Sequence, residues 1–151
     1  MQFTDISSSY EFGRQVEFKG MVQANAPLQR VNLFIRPAGE NTRVVTVDPA
    51  ADGNLQSSYD LTQHPLRPFS RVDYWYRVTL ADGNVFTSAE SNFLYEDNRF
   101  EWRKLEEKGF EAAWLEGELD FGQSILNVIQ TSWASVQIYL PAEPPMPLRV
   151  Y

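Results

Sequence analysis

The 151-residue chain has no cysteine and a single histidine, His64. Without thiolates there is no disulfide, no cysteine nucleophile and no Cys-ligated zinc or iron–sulfur site. With one imidazole, the paired histidines of a zinc-hydrolase helix are also missing from these residues. Nor is there a nucleophile elbow or a phosphate-cradling glycine loop. An enzyme in its own right is therefore the least supported class, with no catalytic residue, metal ligand or cofactor site to assign. No apolar run approaches the roughly 18 residues of a membrane span, so membrane insertion is not expected. The first residues, Met1-Gln2-Phe3-Thr4-Asp5, carry neither the basic nor the apolar region of a signal peptide. That fits a cytoplasmic protein or one whose signal has been removed. Positive charge is short too: 13 Lys and Arg face 20 Asp and Glu, a net charge of −7 and a pI near 4.7. Such a surface repels phosphate backbones and argues against a nucleic-acid partner.

Apolar side chains are plentiful, at 43% with 14% aromatic, enough for a packed core. The organising stretch is Leu66–Asn84. A Pro68 turn leads into Val72-Asp73-Tyr74-Trp75-Tyr76-Arg77-Val78, with aromatics at alternate positions, and Asp82-Gly83 then signals a hairpin. Around it the chain predicts strands at about Gln15–Gln23, Arg30–Arg36, Arg43–Val47, Leu55–Leu61, Val85–Thr87 and Asn92–Tyr95. An irregularity is expected near Ser88–Ser91, and Ala24–Pro27, Pro37–Asn41, Asp48-Pro49 and Asp52–Asn54 serve as stops and turns. Short strands at such spacing, with no room for helical crossovers, predict an antiparallel immunoglobulin-like β-sandwich over residues 1–96.

The pattern changes over residues 97–151. Phe100–Leu105 is short and amphipathic, Glu106–Gly109 a charged break, and Phe110–Leu115 a strand. From Asp120, Phe121, Ile125, Val128, Ile129, Ser132, Val136 and Leu140 recur at helical spacing, widened by Leu126 and Trp133. Asp120 stands as N-cap with Gln123 as its capping-box partner, and Pro141 stops the helix. Ala142–Pro147 is a stiff connector into a strand at Leu148–Tyr151. A strand–helix–strand segment does not enclose a core by itself. It is expected either to pack on the sandwich or to open a further domain.

Two features carry a resemblance. Tyr95-Glu96-Asp97-Asn98-Arg99-Phe100-Glu101-Trp102, followed by Phe110-Glu111-Ala112-Ala113-Trp114, resembles bacterial exported proteins in which an immunoglobulin-like domain precedes a peptidase-MA-like, gluzincin-type metallopeptidase domain. Leu66-x-Pro68 with Tyr74-x-Tyr76-x-Val78 is similar to the late strands of fibronectin type III domains. The resemblance implies an extracellular or cell-envelope location and contact with a downstream domain. Its zinc motif, His-Glu-x-x-His, is absent here, so no ligand is carried over and the fragment would act as an accessory domain.

Among individual residues, His64 reads as a solvated turn residue before Pro65 rather than a metal ligand. Glu116, Glu118 and Asp120 suit a helix N-terminus better than a calcium site. Asp52-Gly53-Asn54 and Asp82-Gly83-Asn84 faintly suggest calcium loops, but turn chemistry explains both. Trp102, Trp114 and Trp133 read as packing anchors. In a strand, Tyr74 and Tyr76 share the core face and Trp75 takes the other, flanked by Asp73 and Arg77. Covered by other elements, Trp75 is packing. Exposed, it is the one candidate ligand contact, for a glycan or a protein partner.

Overall fold

The computed structural model describes residues 1–140 and 146–151. Pro141 and most of the Ala142–Pro147 connector lie outside the described residues. The strands are β1 (Gln2–Glu11), β2 (Gln15–Gln23), β3 (Leu28–Pro37), β4 (Arg43–Val47), β5 (Asn54–Asp60), β6 (Ser70–Leu80), β7 (Val85–Thr87), β8 (Ser91–Tyr95), β9 (Arg103–Glu107), β10 (Phe110–Trp114) and β11 (Leu148–Val150). The helix α1 spans Leu119–Gln137. The backbone groups into two compact units, Met1–Arg99 and Phe100–Tyr151.

The first unit is an antiparallel β-sandwich. One sheet runs β1-β2-β5 and the other β4-β3-β6, with β7 and β8 sharing the far edge of β6. Alternation explains why they stack. Val16, Phe18 and Val22 of β2, Val31, Leu33 and Ile35 of β3, and Val72, Tyr74, Tyr76, Val78 and Leu80 of β6 are all buried in one core. The Phe18 and Tyr74 rings meet edge to face at 4.9 Å across the two layers. The break expected near Ser88–Ser91 is real. There the backbone N–H of Ser88 donates to the Tyr76 carbonyl at 2.9 Å. Its hydroxyl accepts from the Tyr76 N–H at 3.0 Å, so β6 keeps its partners across the gap.

β1 has no counterpart among the predicted strands. It pairs with β2 along its length, but the register slips between Thr4 and Ser7, and Asp5 has φ +53°. Such a bulge flips the facing of everything beyond it. Phe3 before it and Ile6 and Tyr10 after it all pack on the core, so the residues never show a single period of two.

The β1–β2 turn is fastened to the end of the sandwich. Phe12 stacks on Tyr95 at 4.9 Å, Arg99 lies 5.1 Å over Phe12, and the Asn98 amide donates to the Tyr10 carbonyl at 2.8 Å. Arg99 also grips Asp97 through two donors, at 2.8 and 2.6 Å. Those hydrogen bonds hold the Asp97 carboxyl below its ordinary pKa.

The second unit is a βαβ arrangement with an added hairpin strand. β9 and β10 are antiparallel, and β11 lies parallel to β10, joined to it through the α1 crossover. The charged break over Glu106–Gly109 is corrected here. Glu106 and Glu107 belong to β9, and only Lys108 and Gly109, at φ +51° and +81°, make the turn. The helix start is also corrected. Glu118 is the N-cap, without a side-chain cap bond, and Asp120 sits in the first turn. Gln123 does not close a capping box, since its amide donates to Glu107 of β9 at 3.2 Å.

The buried seam of α1 is Gly122, Leu126 and Ile129, with Ile125 and Trp133 half-buried beside it. Phe121 and Val128, expected in the stripe, are 51% and 66% exposed. The apolar arc of this helix is wider than its buried seam, so periodicity alone could not locate the seam. Gly122 locates it, because there the helix backbone lies directly against the Trp114 indole. Trp114 and Trp133 are packing anchors of this unit, and Trp102 meets Tyr151 edge to face at 5.8 Å.

Candidate functional site

The face of the β4-β3-β6-β7 sheet directed away from the core carries the candidate site. Because Val31, Leu33 and Ile35 point inward, Asn32, Phe34 and Arg36 of β3 point outward. By the same parity Arg71, Asp73, Trp75, Arg77 and Thr79 of β6 point outward. The register then sets Phe34 opposite both Val44 and Trp75, giving an apolar row across three strands. The adjacent row is polar: Thr46, Asn32, Arg77 and Thr87 stand opposite one another across four strands. Val44 is 55% exposed, and Phe34 and Trp75 are half-buried.

Within this face the two rings stack with centroids 5.3 Å apart and planes 7° from parallel. Arg36 lies 5.0 Å over Trp75 and Arg77 4.7 Å over Phe34. The contacts thus run Arg77, Phe34, Trp75, Arg36, drawn alternately from β6 and β3. Such guanidinium–ring contacts are worth about 0.5–1 kcal/mol each at exposed sites. Arg36 is further tied to Glu90 at 2.7 Å and Asp73 at 3.2 Å, and Arg71 reaches Asp73 at 2.7 Å. The hydrogen bond to Asp73 and the charge of Glu90 raise the Arg36 pKa above its ordinary value. Arg77 makes no ion pair among the described residues, and Phe34 is its ring contact.

Trp75 therefore lies on the outer face, as its alternation predicts. Phe34, Arg36 and Glu90 were not singled out from sequence. Phe34 was hidden because Leu33-Phe34-Ile35 reads as a continuous apolar run. Only the inward parity of Val31, Leu33 and Ile35 marks it as outward, a signal that was available.

The other candidates are dispersed. His64 is exposed. Its carbonyl accepts from Arg43 at 3.2 Å, and its ring lies 5.7 Å from that of Tyr59. Arg43 also donates to the Tyr59 hydroxyl at 2.8 Å, so these groups pin the β5–β6 connection. Asp52 and Asp82 each accept the N–H of the asparagine two residues on, at 3.0 Å, and that bond holds the Asp82 carboxyl below its usual pKa. Glu118 caps α1 and lies 3.7 Å from Arg103. No group of three or more His, Asp or Glu among the described residues could hold a metal. A cleft of about 500 Å³ opens at one end of the sandwich between the Val22–Leu28 and Pro49–Gly53 segments. Its carboxylate, Asp52, is already occupied by Asn54. No helix is long and apolar enough to cross a membrane among the described residues.

No family model matches the chain, and no curated protein matches it. Among solved structures, a cycloalternan-degrading enzyme from Trueperella pyogenes in complex with cycloalternan is similar over 55% of this chain, with 16% identity and a TM-score of 0.44. This chain spans 14% of that enzyme's length. The same enzyme in complex with isomaltose is similar over 72% of this chain and 13% of its own, at 16% identity and a TM-score of 0.43. A carbohydrate-binding module family 56 β-1,3-glucan binding domain is similar over 62% of this chain and 99% of its own, at 10% identity and a TM-score of 0.42. Each likeness is partial, and what bears on a ligand is the geometry of the sheet face itself.

Proposed function

We propose that the Met1–Arg99 sandwich is a non-catalytic glycan-binding module whose site is the outer face of β3 and β6, with no cofactor. The observation that carries this reading is the pairing of an apolar row, Val44–Phe34–Trp75, with a parallel row of hydrogen-bonding side chains, Thr46–Asn32–Arg77–Thr87. A sugar ring has the matching duality, with an apolar C–H surface and a rim of hydroxyls. The solvent face of an antiparallel sheet is ordinarily polar, so stacked aromatics there call for a partner surface. Both rows stand on paired strands rather than loops, which keeps their spacing rigid.

In a glycan-array screen followed by calorimetry on the best ligand, Trp75→Ala weakens binding by about tenfold or more, ~1.4 kcal/mol. The sandwich stays folded, because Trp75 is not part of the core. Failure to bind any glycan, or binding that ignores Trp75→Ala, removes this reading.

A second reading starts from the Phe100–Tyr151 unit, which, against the expectation that such a segment encloses no core by itself, packs a small core of its own around Trp114 and Leu126. In it the sandwich is an accessory domain of a metallopeptidase-like protein, supported by the resemblance at Tyr95–Trp102 and Phe110–Trp114. The coding sequence downstream decides it: the absence of His-Glu-x-x-His within ~100–200 residues, one domain length, refutes the link.

A further inference from the structure

Resting on the glycan-binding reading, we infer that the outer face selects carboxylate-bearing glycans, with Arg77 as the residue that takes the carboxylate. The apolar row that takes the C–H surface of a sugar is bordered by two arginines. Phe34 and Trp75 face one another at 5.3 Å, with Arg77 over the first and Arg36 over the second. A sugar packed along this row therefore lies within reach of a guanidinium.

The two arginines differ in their partners. Arg36 is engaged by Glu90 and Asp73 and is in effect neutralised. Arg77 has no carboxylate among the described residues, yet its guanidinium is held over Phe34, so its planar set of donors is oriented before a ligand arrives. Asn32 and Thr87 flank it in the same row, and can take the hydroxyls beside a ring carboxylate. The local charge agrees. Arg36 and Arg71 pair with the two carboxylates Asp73 and Glu90, which leaves Arg77 as the uncompensated charge of this group on a chain whose net charge is −7. An anionic chain is steered to such a face and repelled by most of the remaining surface.

The experiment titrates the full chain with hexagalacturonate and with a neutral β-1,3-linked glucose hexamer, at low and high salt. Expected is binding of hexagalacturonate about tenfold or more tighter than the neutral hexamer, weakened by salt and lost by about tenfold in Arg77→Gln, the scale of a charge-assisted hydrogen bond. The Trp75→Ala and Arg77→Gln proteins are checked for a retained cooperative melting transition. Equal binding of the two hexamers, or hexagalacturonate binding untouched by Arg77→Gln, overturns the carboxylate assignment. If the neutral hexamer also binds and depends on Trp75, the glycan-binding reading survives that failure. Binding of neither hexamer, with no hit in the array, ends both.

Discussion

Tyr76→Ala lowers the stability of the Met1–Arg99 sandwich by about 3–5 kcal/mol, the usual cost of emptying a buried aromatic site, while Tyr76→Phe leaves it unchanged or raises it. Tyr76 is fully buried at the middle of β6, and its ring lies where a Cβ on Gly20 would come within 3.3 Å. The ring thus spans the core from one sheet to the other, and the absence of a side chain at Gly20 makes room for it. The hydroxyl is different. It is buried without a hydrogen-bond partner among the described residues, and burial raises its pKa, since the phenolate would have to be desolvated. An unpaired buried hydroxyl costs about 1–3 kcal/mol, so deleting that oxygen removes a penalty and no bond. Denaturant titration monitored by amide exchange in Tyr74–Leu80 separates this sandwich from the second unit. A loss in Tyr76→Phe comparable to that in Tyr76→Ala would show that the hydroxyl holds the core together after all.

Gly122→Ala destabilises the Phe100–Tyr151 unit by about 1–3 kcal/mol, the range for overpacking a tight interior. Propensity alone predicts the opposite, since alanine in a helix interior is favoured over glycine by ~1 kcal/mol. The sign is set by Trp114. A Cβ on Gly122 would overlap three carbons of its indole, and Trp114 is only 5% exposed, with its ring nitrogen donating to the Gly117 carbonyl at 3.3 Å. Neither side can yield without opening the contact between α1 and β10. The comparison variant is Asn127→Ala, on the exposed side of the same helix, where propensity acts without a clash. Amide exchange over Gln123–Gln137 reports both. A Gly122→Ala protein with a better protected helix would mean that the helix does not bear on Trp114 as described.

These two residues also show how far local pattern reached. The strand at Ser70–Leu80 was legible because it has one period throughout and a hairpin signal after it. The strand at Gln2–Glu11 was not, because its bulge at Asp5 resets the parity and leaves two short half-patterns. The helix was legible as a helix but not in its orientation, since Phe121 and Val128 are as apolar as Leu126 and Ile129. Its start was misplaced by two residues for a related reason. Asp120 is a good cap by type, but the chain had already turned at Gly117, φ +103°, and Glu118 took the cap position.

The candidate site divides in the same way. Alternation within Val72–Val78 was enough to send Trp75 outward and both tyrosines inward, because the pleat of a strand is a property of neighbouring residues. What Trp75 meets once it is outside is decided by register. Pairing of Phe34 with Trp75, Arg36 with Asp73 and Asn32 with Arg77 joins residues some forty positions apart in the chain, and nothing in either segment encodes that alignment separately. Sliding β3 by one residue would point Phe34 into the core and dissolve the stack. The chain by itself therefore determined a mainly β, antiparallel sandwich with a helix-containing segment behind it, since period and turn chemistry are local. The tertiary structure alone decided that Trp75 is one rung of an aromatic and guanidinium stack rather than a solitary exposed ring, since only the packed core fixes which residues stand opposite one another.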